Sequence, residues 1–147
     1  MTQYEHTQIG RSIIWVGSGA AVLLAIGAIF EPPSVREVFL VISAVLFITV
    51  ALFYKLKITI DHKTLRASFG LGLIKREVPV AEIVACEPIR IRWWYGWGIH
   101  LTPYGWLYNI AGWEAVAIRL RNGRKFSLGT DDPHGLTATI RRFSFAE

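Results

Sequence analysis

Ser12 to Phe30 reads SIIWVGSGAAVLLAIGAIF, and Val38 to Tyr54 reads VFLVISAVLFITVALFY. Neither run holds a charged residue. As helices they extend about 28 Å and about 25 Å, against roughly 30 Å of hydrocarbon in a bilayer. Between them lies EPPSVRE (31–37), where two prolines stop a helix and polar side chains suit a reversal. The predicted unit over 12–54 is a transmembrane helical hairpin with spans at about 12–30 and 38–54. A cleaved signal peptide is the rival reading of the first run, since Ala25-Ile26-Gly27-Ala28 faintly resembles a cleavage site. The run is too long for a signal core, Arg11 is the one basic residue before it, and a second apolar run follows at once.

The rest of the chain agrees with that beginning. Of 147 residues, 52% are apolar and 18% are charged, and the mean hydropathy is +0.37. Such a composition excludes a disordered chain. Residues 55–147 carry 14 Lys/Arg and 8 Asp/Glu, a net of +6, whereas residues 1–54 carry 2 and 3, a net of −1. Arg11, Lys55 and Lys57 flank the spans, and the intervening turn has Arg36 offset by Glu31 and Glu37. Basic residues stay on the cytoplasmic side. Both termini are therefore expected in the cytoplasm, with 1–11 a tail and 55–147 a domain held against the membrane. The single cysteine, Cys86, excludes an internal disulfide and suits a reducing compartment.

Gly17, Ala21 and Ala25 recur every four residues on one face of the first span. Small residues at this spacing let another helix approach closely, either the second span or a second copy of the chain.

Beyond Tyr54 the apolar period is two, which predicts strands. Leu56, Ile58 and Ile60 alternate outward, and Leu65, Ala67 and Phe69 alternate back after a turn at 61–64. Ile60 should face Leu65, and Ile58 should face Ala67. Further strands are expected at 74–80, 84–91, 98–102 and 106–110. The hairpin over 114–130 turns at Asn122-Gly123. A type I turn with Gly123 as a left-handed bulge would pair Leu120 with Phe126 and Ile118 with Leu128. Asp132-Pro133 then caps a closing helix whose apolar stripe is Leu136, Ile140 and Phe143. The fold class is α+β: a roll or barrel of roughly seven strands closed by a C-terminal helix.

Several motifs add a resemblance. Ile58-Thr-Ile-Asp61, Val78-Pro-Val-Ala-Glu-Ile83, Trp94-Tyr-Gly-Trp-Gly-Ile99, Gly105-Trp-Leu-Tyr-Asn109 and Leu128-Gly-Thr-Asp-Asp-Pro133 resemble small bacterial two-span membrane proteins with a pleckstrin-homology-like domain. The resemblance covers 12–145. It implies a bent seven-stranded β-sandwich with a capping helix, a place in the bacterial inner membrane and a tendency to form oligomers. Eukaryotic relatives often bind phosphoinositides through K-x-n-K/R-x-R across the first hairpin. Here that hairpin has Lys57, Lys63 and Arg66 with Asp61, and the pattern is absent.

The most unusual stretch is Arg90-Ile-Arg-Trp-Trp-Tyr-Gly-Trp97. Tryptophan and tyrosine favour the headgroup zone, and arginine pairs with lipid phosphate. Arg90, Arg92, Trp93, Trp94 and Tyr95, with Lys55 and Lys57, are the candidate contact to anionic phospholipid. Two alternatives stay open: the rings fill the open end of a small barrel, or they dock a protein partner. The readings can coexist, with Trp97 and Trp106 inside while Trp93 and Trp94 face out. No nucleic-acid-binding element presents the basic residues.

No catalytic or metal-ligating pattern stands out, and no cofactor is expected. His6, His62, His100 and His134 are scattered. Asp131 and Asp132 read as a helix cap, and no ionisable residue lies inside either span. The function expected is a non-enzymatic scaffold or binding module on the cytoplasmic face of the membrane. An accessory or oligomer-forming structural subunit of a larger membrane complex is the alternative.

Overall fold

In the computed structural model, which describes residues 2–144, the chain begins with a strand. β1 (Thr2–Ile9) is followed by helix α1 (Ile13–Phe30), which opens on a π-helical turn at Ile13–Gly17 and tightens to 3-10 at Ala28–Phe30. Helix α2 (Pro33–Phe53) returns. Both helices are long and apolar enough to cross a membrane. The turn is shorter than the sequence suggests: α2 starts at Pro33, five residues before the expected span. Proline is well placed in a first helical turn because its missing N–H has no partner there anyway. Arg36, inside α2, donates to the carbonyls of Ala28 (3.1 Å) and Glu31 (3.2 Å), satisfying acceptors left at the end of α1.

The remaining elements are β2 (Lys55–Asp61), β3 (Thr64–Phe69), β4 (Ile74–Pro79), β5 (Ile83–Arg90), β6 (Gly98–Thr102), β7 (Gly105–Asn109), β8 (Glu114–Leu120), β9 (Lys125–Gly129) and α3 (Pro133–Ser144). One sheet is antiparallel, in the order β1-β2-β3-β4. The other runs β5-β8-β9-β7-β6, with β7 parallel to β9. The class is α+β as expected, but nine strands stand among the described residues rather than roughly seven.

The principal addition is β1. Residues 1–11, expected to be a tail, hold a full strand paired with β2 from Thr2↔Asp61 to Ile9↔Lys55. Its inward positions are Tyr4, His6 and Gln8, so the strand buries polar side chains that need partners. Tyr4 donates to Asp132 (3.1 Å), His6 pairs with Asp131, and Gln8 donates to the Ala111 carbonyl (3.2 Å). Because β1 and β2 are antiparallel neighbours, the helical hairpin is inserted between two adjacent strands. Both of its ends leave the same end of the sheet.

The core lies between the sheets. Leu56, Ile58, Ile60, Leu65 and Phe69 face Ile118, Phe126 and Leu128, and α3 closes it with Leu136 and Ile140. The pairings Ile60↔Leu65 and Ile58↔Ala67 are as expected. The last hairpin is shifted by two residues along β8. The loop is Arg121-Asn122-Gly123 with Gly123 at φ +84°, the expected left-handed bulge. The pairs are Ile118↔Phe126 and Val116↔Leu128, not Leu120 with Phe126. Both registers keep apolar opposite apolar. The observed one closes with Leu120 and Arg124 bonded across the turn.

Candidate functional site

Two loops gather at the end of the domain from which the helices depart. The Gly10 amide donates to the Tyr54 carbonyl (2.8 Å), and the Gly70 amide donates to Lys55 (2.8 Å). Gly70 has φ +48° and lies so close under the Ala51 and Leu52 carbonyls that any Cβ there would collide with them. This contact presses the β3–β4 turn against the end of α2. The turn points Leu71 and Leu73 into the open, 68% and 75% exposed.

On the other sheet, Gly10 meets the Ile110 carbonyl, and Gln8 holds Ala111. Asn109 reaches the carbonyls of Gly96 and Gly112 (3.4 Å each), while the Ile91 amide bonds the Trp113 carbonyl (2.6 Å). These links place 91–97 at the helix-bearing end too. Trp93–Tyr95 forms one 3-10 turn, which reverses at Gly96 (φ +63°). Trp93 and Trp94 are 72% and 54% exposed. Their rings meet edge to face at 5.9 Å, and the Arg92 guanidinium lies over Trp94 at 4.9 Å. Arg90, Arg92, Trp93, Trp94 and Trp113 line a shallow cavity of about 520 Å³.

Of the residues expected at a lipid contact, Arg90, Arg92, Trp93 and Trp94 come together. Tyr95 does not join them. It turns inward against a small cluster of Ile91, Leu107 and Ala115. Lys55 sits at the same end of the molecule but on the other sheet, over the Tyr54 ring at 5.2 Å. Lys57 is two residues along β2 and bonded to Glu5 at 2.8 Å, a partner supplied by the unforeseen β1. The idea that the rings plug the sandwich is corrected: Trp93, Trp94, Trp97 and Trp106 are all exposed. Ile91, Leu107 and Ala115 are the side chains buried beside that loop instead.

Gly17 abuts Val50, and Ser43 donates to the Ala21 carbonyl (2.8 Å). The small-residue face of α1 is thus occupied by α2 of the same chain at those two positions, with Ala25 half-buried beside them. Leu71, Leu73 and Trp113 join the exposed end without having been singled out from sequence. The signal was there in Gly-Leu-Gly-Leu, since a solvated turn has no use for two leucines.

Titrating groups are few. Burial pushes the Cys86 thiol up, opposed by the nearby Arg141. Amides of Lys63 and Thr64 hold the Asp61 carboxyl below its ordinary value. Tyr4 is raised by burial and then by Asp132. Among the described residues no three His, Cys, Asp or Glu side chains converge as metal ligands would. The chain matches no family model and no curated protein.

Proposed function

We propose that the protein is a non-enzymatic, membrane-anchored binding module whose pleckstrin-homology-like domain lies on anionic lipid at the cytoplasmic face of a bacterial inner membrane. Two sheets closed by a C-terminal helix support the domain assignment. The basic bias of 55–147 supports the cytoplasmic side. The observation that carries the reading is the position of the exposed apolar side chains. Leu71 and Leu73 on one sheet, and Trp93, Trp94 and Trp113 on the other, are exposed at the end from which α1 and α2 leave, so in this reading they meet the interface once the helices are inserted. Trp and Leu there lose apolar surface to the headgroup zone, and Arg90 and Arg92 meet phosphates beside them. Each basic residue near an anionic leaflet contributes about 1 kcal/mol, enough in combination to fix the domain's tilt. The face turned away is left for a protein partner or a second copy.

The test uses the full chain in nanodiscs. With brominated acyl chains, tryptophan emission should be quenched, and the Trp93→Phe, Trp94→Phe double variant should lose a large part of that quenching. Replacing phosphatidylglycerol by phosphatidylcholine should speed amide exchange across 90–97. Quenching that is unchanged in the double variant, together with lipid-independent exchange, would refute the contact. The Leu71→Asp, Leu73→Asp variant should show the same loosening at 70–74.

A further inference from the structure

The hairpin of β6 and β7 holds a second feature. On β6 and β7, Ile99 pairs with Tyr108 and Leu101 pairs with Trp106. Ile99 and Tyr108 pack onto the core. Leu101 and Trp106 share their face of the sheet, because residues two apart on a strand point the same way. Yet they are 69% and 49% exposed. The inner face of the second sheet therefore runs past the cover that β4 provides and leaves an apolar shelf.

A cavity of about 530 Å³ opens on that shelf, rimmed by Arg76, Arg124 and Lys125. This size lies within the usual range for small-molecule sites. No carboxylate lines it, and none of the three cations forms an ion pair among the described residues. Arg76 reaches in from β4, lies over the Phe126 ring at 4.5 Å and donates to the Tyr108 hydroxyl (3.2 Å). Its Nε is buried with no hydrogen-bond partner. The Phe126 face thus covers that nitrogen, and the guanidinium keeps its positive charge with no carboxylate paired to it among the described residues. The neighbouring glutamate, Glu77, is engaged elsewhere, by Arg66 and Lys75.

We propose that this cavity binds a small phosphate monoester carrying a flat apolar group. The dianionic phosphate takes Arg76, Arg124 and Lys125, and the ring lies on Trp106 and Leu101. Bidentate guanidinium contacts suit phosphate oxygens. The ligand comes from the aqueous side. Lys125 begins β9, and Gly129 at its other end packs on Asn109, which is tied to the helix-bearing end. Four residues of strand place the Arg124 and Lys125 rim about 13 Å from that end, beyond a Debye length of roughly 8 Å.

The probe is phenyl phosphate, titrated calorimetrically into the full chain in phosphatidylcholine nanodiscs. One site per chain should saturate, with inorganic phosphate binding more weakly and phenol not binding. Arg124→Ala and Lys125→Ala should each weaken phenyl phosphate by about tenfold, the loss expected for a charge-assisted contact. Trp106→Leu should weaken phenyl phosphate but leave inorganic phosphate unchanged. Arg124 and Lys125 are exposed, so these variants keep the fold, which near-UV circular dichroism checks; Arg76 packs on the core and is left intact. Absence of saturable binding, or equal affinity in the Arg124 and Lys125 variants, overturns the proposal.

Discussion

In the β domain Leu56, Leu65, Leu107 and Leu128 are closed off almost completely, whereas Leu23 and Leu40 on the two helices stand 71% and 47% exposed. The residue type is the same, and so is its cost in water. In the domain the cost is removed by packing between two sheets and α3. In the hairpin a narrow seam is packed, including Gly17, Ala21, Ala28 and Ser43, and most of the remaining apolar surface faces outward. A surface of that extent calls for an apolar medium around it. Leu71 and Leu73 belong to the domain by chain position but share the exposure of the helices. Under the proposed function they mark where the boundary between the two media falls.

The sharpest probe of this contrast is Cys86, on the closed side. Its thiol is buried and contacts the Thr137 carbonyl. Maleimide labelling at pH 8 in detergent should be slowed at least about a hundredfold relative to the unfolded chain, because labelling needs the domain to open. The folded thiol titrates above the unfolded value of about 8.5. The domain should therefore keep this stability below that pH and lose it as the pH climbs through the folded value. Rapid labelling of native protein would break the distinction.

Next in size is a matched pair of leucines. Leu65→Ala should destabilise the domain by about 2–5 kcal/mol in denaturant unfolding. Leu40→Ala on α2 should change it by less than about 0.5 kcal/mol. Equal effects would mean that hairpin and domain share one core. Asp132→Ala should cost about 1 kcal/mol, since Asp132 caps α3 through the Gly135 amide (3.0 Å) and accepts from Tyr4. The smallest effect belongs to the hairpin seam. Ser43→Ala removes one bond worth about 0.6 kcal/mol, read as roughly threefold faster amide exchange in α1 with domain stability unchanged.

Much of this division was legible in residue order. Uncharged runs announced the helices, and strict alternation over 56–69 set both the strands and their register. Asp132-Pro133 marked the start of α3, and the Asp132 carboxylate does accept the Gly135 amide. What escaped depended on partners distant in sequence. β1 alternates as a strand should, but its inward set is Tyr4, His6 and Gln8, and polar residues announce no core until Asp131, Asp132 and Ala111 are brought to them. The 121–123 loop could close either way by composition, and only the bond between Leu120 and Arg124 decides it. Tryptophan in 93–97 was ambiguous for a different reason. Aromatic rings fit a core and an interface equally well, and exposure is a property of the folded chain.

The pairing of β1 with β2 has a consequence for how the molecule is made. The first strand leaves the ribosome before the helices, and its neighbour emerges only after both have been synthesised. The sheet cannot be completed until α1 and α2 have been made and have brought the chain back beside β1. If only one of the two helices crossed a membrane, β1 would be stranded on the far side from β2 and the β2 edge would be left bare for proteolysis. Placing both helices together and finishing the sheet are thus a single step in making this molecule.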